Sequence, residues 1–154
     1  MDIRLTTYDD LAVGQRAEVT KNITEEDLAH FIAITGDVNP LHVDEDFARR
    51  TFFKQPIAHG MLSASLFSHI VGMLLPGTGA IYRSQSLTFL QPVYMGDTLT
   101  ASLEIMAVDR EAELIEMQGM IRNQRGHTVV EGKATATLLR GFQLDCSCAG
   151  PIAG

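Results

Sequence analysis

The sequence predicts an α+β fold in which an antiparallel sheet wraps around one long buried helix. Three observations predict it. Residues 60–75 contain no Asp, Glu, Lys or Arg, and their apolar side chains fall on all sides of a helix, as in a helix buried on most of its surface. From Ile81 to Leu138 the apolar period changes to two, in runs separated by short polar turns, the pattern of hairpin-connected strands. Each half then supplies the apolar surface that the other must cover. The length of 154 residues fits one domain over 1–154, with a core of about 13–139 and a tail at 141–154 that is expected to fray.

Residues 1–12 carry no clear pattern. Gln15 to Lys21 reads as a first strand with Ala17 and Val19 on one face, stopped by Asn22-Ile23-Thr24. Thr24 and Asp27 have the spacing of a capping box, and Glu25 and Glu26 suit the positive end of a helix. Leu28, Phe31, Ile32 and Thr35 follow at helical spacing, which predicts an amphipathic helix over 25–35 with His30 on its solvated side. Asp44 can cap a short helix whose last turn carries Arg49 and Arg50. Phe52-Phe53-Lys54-Gln55-Pro56 reads as a loop whose aromatics more commonly fill a neighbouring core than cover a pocket. Inside 60–75, Ser63, Ser65 and Ser68 are expected to bond mostly to carbonyls one turn back, and His69 to pack against the sheet. Pro76-Gly77-Thr78-Gly79 ends that helix.

The strand faces follow by alternation. Ile81, Arg83, Gln85, Leu87 and Phe89 alternate with Tyr82, Ser84, Ser86 and Thr88. Leu99, Ala101, Leu103, Ile105 and Ala107 form one face of the next strand. Ile115, Met117, Gly119 and Ile121 share another, and Val130, Gly132, Ala134, Ala136 and Leu138 the last. Three or four consecutive strands on short turns predict a meander. The small residues of the last strand predict that something bulky packs close to it.

Charge and composition narrow the function. A net charge of −7 argues against nonspecific nucleic-acid binding, which needs a positive field. No stretch is long enough for a confident membrane span, which takes about 20 apolar residues. No basic segment leads into an apolar run at the start, so a cytoplasmic location without a signal peptide is expected. Cys146 and Cys148 form a C-x-C with no second Cys/His pair, which reads as reduced thiols rather than as a zinc site.

Chemistry concentrates in Thr35-Gly36-Asp37-Val38-Asn39-Pro40-Leu41-His42. It sets an acid and an imidazole five positions apart. Gly36 permits unusual backbone angles, and Pro40 drives Asn39 toward an extended conformation. The connection should be stiff and bent, neither helix nor strand. Asp37 and Asn39 could serve only to make a turn. Alternatively Asp37 and His42 form an acid–base pair held within reach of one reacting atom.

Phe31 through His42 with Ala48, together with Pro56-Ile57-Ala58-His59-Gly60-Met61-Leu62, Ser65-Leu66-Phe67-Ser68 and Gln85 through Asp97, resembles the MaoC-like hydratases. The small bacterial R-specific enoyl-CoA hydratases are the nearest in pattern, and the likeness runs from about Val13 to Leu139. The resemblance implies a hot-dog fold. It implies Asp37 and His42 as catalytic residues, Ser68 as a support, and the Gly60 N–H as the donor to the thioester oxygen. It implies hydration of trans-2-enoyl-CoA to R-3-hydroxyacyl-CoA, a link to polyhydroxyalkanoate synthesis, a homodimer, and no cofactor or metal. Asn39 and Arg83 are candidate substrate contacts. Coenzyme A phosphates call for local cations, and Arg83, Lys54, Arg49 and Arg50 are available. The chemistry of the residues agrees: a helix start can receive enolate charge, and an acid and an imidazole can grip one water. The competing readings are a dehydratase or hydratase of another acyl thioester and a noncatalytic acyl-CoA-binding protein of the same fold.

Overall fold

The computed structural model describes residues 4–139, so the Cys146/Cys148 pair and the tail from Gly141 lie outside the described residues. Six strands form one antiparallel sheet: β1 (Arg16–Asn22), β2 (Ala80–Gln85), β3 (Thr88–Phe89), β4 (Thr98–Asp109), β5 (Leu114–Arg122) and β6 (Thr128–Leu138). Their order is β1-β4-β5-β6-β2, with β3 also paired to β6. The meander is therefore β4-β5-β6 alone. The strand pair β2/β3 precedes β4 in the chain but crosses to the far edge. β3 and β4 follow one another in the chain but are not neighbours in this sheet, which alternation by itself does not reveal.

Three register shifts interrupt the expected faces. Between Tyr82 and Ser84 the register with β6 slips, so Tyr82, Gln85 and Leu87 are half-buried while Ile81 is 41% exposed. Between Ile105 and Ala107 the register with β5 slips, and beyond Met106, which faces outward as the alternation has it, Val108 packs against the core in the place expected of Ala107. One extra residue in a strand exchanges every later side chain between faces. The faces of β5 and β6 follow the alternation over Ile115, Met117, Ile121, Val130, Ala134 and Ala136, all buried, up to a register shift between Ile121 and Arg122, where Val129 is buried beside Val130.

The helical segment 60–74 lies on the concave face. It is not one regular helix. After α1 (Glu25–Thr35), α2 (Pro40–Val43) and α3 (Glu45–Arg50), it runs as α4 (Gly60–Ala64), α5 (Leu66–His69) and a π-helical turn at Ile70–Leu74. Nor is it buried all round. Leu62, Leu66, Phe67, Ile70 and Val71 enter the core, whereas Met61, Ser65, Ser68, His69, Gly72 and Met73 are exposed. His69 therefore does not pack against the sheet. The close approach expected from the small residues of the last strand occurs at Gly132 of β6, where a Cβ would collide with Ser86 O, and another occurs at Gly119 of β5, where a Cβ would stand 2.9 Å from the Phe67 ring.

The N-terminal residues, without pattern in sequence, are tied to the sheet. Thr6 N–H donates to Thr78 O, the Tyr8 hydroxyl bonds Thr137 and Leu138 N–H, and Leu11 is buried. No helix among the described residues is long and apolar enough to cross a membrane.

Candidate active site

Helix α1 delivers the first functional group. Gly36 caps it in the left-handed region (φ 73°) and donates to Ile32 O at 2.7 Å, the conformation in which glycine escapes a steric penalty. The chain then turns on side chains. Thr35 Oγ1 accepts from Asp37 N–H, Asp37 Oδ1 from Asn39 N–H at 3.1 Å, and Asn39 Oδ1 from Leu41 N–H at 3.0 Å. Asp37 and Asn39 thus do make the turn, as their residue types favour. Asn39 is the N-cap of α2 and is not among the residues lining the two cavities around His42. Pro40 takes the first position of α2, where its missing N–H costs nothing. His42 therefore sits on a helical turn, not in the irregular connection that the sequence suggests.

His42 is fixed by a second connection. Ile57 N–H donates to Leu41 O, Ala58 N–H donates to Val93 O, and His42 Nδ1 lies 2.7 Å from Ile57 O. A carbonyl oxygen only accepts, so Nδ1 carries the proton and Nε2 keeps the lone pair. The same segment leads into His59, which is 3% exposed, and into Gly60 at the start of α4. Gly60 N–H has no helical partner behind it, as at any helix start. The space that a Gly60 Cβ would fill holds the Phe89 ring, 2.8 Å from that position.

Two cavities meet at His42, Gly60 and Met61. One, about 610 Å³, is lined by Asp37, His59, Ala64, Ser65, Ser68, Tyr82 and Gln85 among others. The other, about 470 Å³, is walled by apolar groups including Phe52, Phe53, Phe89, Pro92 and Val93. Asp37, His42, Gly60 and Ser68 are thus brought to one cavity. Ser68 has no hydrogen bond from its hydroxyl among the described residues. Of the helix serines only Ser65 bonds back, to Leu62 O at 2.6 Å; Ser63 Oγ is buried without a partner. Phe52 is 87% exposed and does not fill a core; with Phe53 it covers the apolar cavity. Arg83 is exposed on the bulge of β2 and lines neither cavity. Arg49 is engaged with Asp46 and Glu45 on its own helix.

Three contributors escaped the sequence. His59 Nε2 lies 3.0 Å from Asp37 O and 3.6 Å from Asp37 Oδ2, and its ring stacks on His42 at 3.7 Å. Tyr82 donates its hydroxyl proton to Gln85 Oε1, and burial pushes its phenol up to about 12, so it lines the cavity as a neutral group at ordinary pH. His59 stands in the Ala58-His59-Gly60 run, but nothing in the sequence signals that its ring is buried. The Tyr82–Gln85 pair depends on the bulge. Asp37, His42 and His59 bring ligand-type atoms within 4.8 Å of one another, which their spacing in the sequence does not suggest. Stacked rings, however, direct their in-plane lone pairs side by side, and the hydrogen bond to Asp37 O occupies His59 Nε2, a poor arrangement for one ion.

Comparison with known proteins gives a consistent picture. The family described as "MaoC like domain" matches residues 11–125. The chain is 44% identical to the (R)-specific enoyl-CoA hydratase of Aeromonas caviae, over 83% of this chain and 96% of that one. It is 42% identical to the enzyme of the same name from Rhodospirillum rubrum, over 87% and 92%. Among solved structures, the A. caviae (R)-hydratase involved in PHA biosynthesis superposes with a TM-score of 0.80 at 43% identity, covering 84% of this chain and 98% of that one. An R-hydratase of Pseudomonas aeruginosa in unliganded form gives 0.81 at 39%, covering 97% and 96%.

Proposed function

The chain belongs to the MaoC-like family, with the hot-dog fold of its hydratase relatives, and on that premise we propose that it is an R-specific enoyl-CoA hydratase. Its substrate is a trans-2-enoyl-CoA and its product the R-3-hydroxyacyl-CoA. The observation that carries the reading is the juxtaposition of Asp37 and His42 at one cavity, in a chain 44% identical to a hydratase of that name. The tautomer of His42 suits this chemistry, because with Nδ1–H held by Ile57 O its Nε2 is an acceptor. A water can then donate one proton to the Asp37 carboxylate and the other to His42 Nε2, which leaves its oxygen lone pair for the β-carbon.

As the C–O bond forms at the β-carbon, the pair takes one proton from the water. Electrons pass through the conjugated system to the thioester oxygen, which receives N–H donation from Gly60 at the start of α4; one such donor contributes about 2.7–4 kcal/mol. Collapse of that enolate takes a proton from the pair at the α-carbon, so hydroxyl and hydrogen add across the double bond and both groups return to their starting state. Asp37 and His42 act as a unit. Ser68 offers a free hydroxyl to the water or the thioester. The apolar and polar cavities that meet at Gly60 suit a substrate with one hydrocarbon arm and one polar arm. We infer further that the reaction needs no cofactor or metal and that the chain works as a homodimer.

Chelator-treated protein should consume the conjugated absorbance of a short trans-2-enoyl-CoA, and its product should be oxidised by an R-specific but not an S-specific 3-hydroxyacyl-CoA dehydrogenase. No absorbance change across a full series of chain lengths would overturn the reading in favour of a noncatalytic acyl-CoA-binding protein.

A further inference from the structure

The ring of His59 is one of the few polar groups buried in this chain, and the hydration mechanism gives it no proton to move. Its contacts are all to the catalytic pair or its backing. Nε2 lies 3.0 Å from the backbone oxygen of Asp37 and 3.6 Å from its carboxylate. One ring face is 3.7 Å from the His42 ring, centroid to centroid, tilted by 31°. Phe31, on the helix that leads into Asp37, packs against His59 at 5.0 Å. A single side chain thus touches both members of the pair and the helix that carries one of them.

We propose that His59 is a positioning residue that sets the distance between Asp37 and His42, and that it does so as a neutral imidazole protonated on Nε2. The proposal rests on the hydratase reading of that pair. The tautomer follows from the hydrogen bond, because Asp37 O can only accept. Nδ1 is buried and has no partner among the described residues; as a bare lone pair it is less costly than a buried N–H with no acceptor. The bond to Asp37 O holds the turn that begins at Gly36. That turn is otherwise tied only by its own short-range bonds, and the Asp37 side chain is 50% exposed. The stack, with the bond to Ile57 O, fixes the plane of the His42 ring. Two groups that share one water must keep their separation to a fraction of an ångström, since a small misplacement costs up to about 10²-fold in rate.

Two substitutions separate the two contacts. His59→Gln keeps an N–H donor near the Nε2 position and removes the stack. His59→Phe keeps a ring on His42 and removes the donor. Each is expected to lower kcat roughly 10- to 100-fold while KM changes less than about threefold, because the loss falls on the spacing of the pair. In an Asp37→Asn background either change should add almost nothing, whereas a general packing defect would add its loss there too. If either His59 variant turns over normally while Asp37→Asn is crippled, the positioning role is wrong and the hydratase reading stands. If the unsubstituted protein hydrates no enoyl-CoA, the hydratase reading itself fails. Should both variants fail to fold, long-range proton–nitrogen NMR of the unsubstituted protein decides: His59 protonated on Nε2 and His42 on Nδ1 support the proposal, and His59 protonated on Nδ1 overturns it.

Discussion

At the scale of single residues, Asp37 has two uses. Its Oδ1 accepts from Asn39 N–H and so shapes the turn, while its other oxygen is left for the cavity. Asp37→Asn keeps an acceptor for the turn and removes the charge. His42→Gln keeps a hydrogen-bonding group and removes the ring that stacks on His59. Each is expected to cut turnover by about 10²–10⁴, the range for a lost general acid or base. The double variant should lose little more than the worse single one, because the groups act as a unit. Steady-state rates on protein with unchanged circular dichroism check this, and near-normal turnover of Asp37→Asn would leave Asp37 as a turn residue only. A second residue-scale expectation concerns packing. A Cβ at Gly119 would stand 2.9 Å from Phe67 and 3.1 Å from Leu103, both fully enclosed, so Gly119→Ala should destabilise by about 1–3 kcal/mol, the scale of overpacking, read as a lower denaturation midpoint. Gly126, at a turn with no neighbour within 4 Å, makes a control without the packing clash, although its own positive φ of 80° carries a backbone penalty in an alanine variant.

At the scale of elements, the start of α1 is the part best read from sequence. Thr24 Oγ1 accepts from Asp27 N–H at 3.2 Å, and Asp27 Oδ2 accepts from Thr24 N–H at 2.9 Å, the reciprocal cap that Thr24-x-x-Asp27 announces. Lys21 adds a contact at 2.8 Å from the end of β1. The Lys21 bond, then the Thr24 N–H, hold the Asp27 carboxyl at about 2 against an ordinary 3.8. Its folded value is lower than its unfolded one, so its contribution is present above about 4 and fades as the pH falls toward 2. Thr24→Ala should cost about 0.5–2 kcal/mol at neutral pH. The stability difference between Asp27→Ala and the unsubstituted chain should shrink on acidification, as denaturant titrations at several pH values would show. If the difference is the same at about pH 2.5 and about pH 6, either side of the window set by linkage, the reciprocal cap does not hold the helix. Caps are legible because they are local, three residues apart. The strand faces are legible only as far as the first bulge: at Arg83 and Met106 one extra residue reverses the alternation, and no local signal marks it. The candidate site is legible as far as Asp37 and His42, which lie five positions apart in one stretch. It is not legible in His59 or Tyr82, whose places in the cavity depend on long-range packing.

At the scale of the whole molecule, the exposed side of 60–74 calls for a cover. Met61 is 56% exposed, Met73 70% and Leu74 46%, on a segment without a charged residue other than any charge on His69. Exposed apolar side chains at both ends of the segment, with Ser65, Ser68, His69 and Gly72 exposed between them, offer a surface for a partner to cover. The sheet leaves β1 and the β2/β3 strands as edges, with Ile81 and Phe89 exposed on the latter, and open edges invite pairing. Met61, Ser65 and Ser68 belong both to the exposed helix side and to the lining of the larger cavity, so a second copy seated there would close that cavity from outside. Closed two-fold pairs are the commonest way to satisfy such a surface. A homodimer is therefore expected in light scattering at micromolar concentration. Met73→Asp, remote from the cavity lining, places a charge in the contact and should shift the mass toward monomer. If the second copy completes the cavity, turnover should fall in parallel with dimer content across a dilution series and recover as concentration rises. Unsubstituted protein that is monomeric yet fully active would show that one chain encloses its own site, and the uncharged helix side would then need another cover.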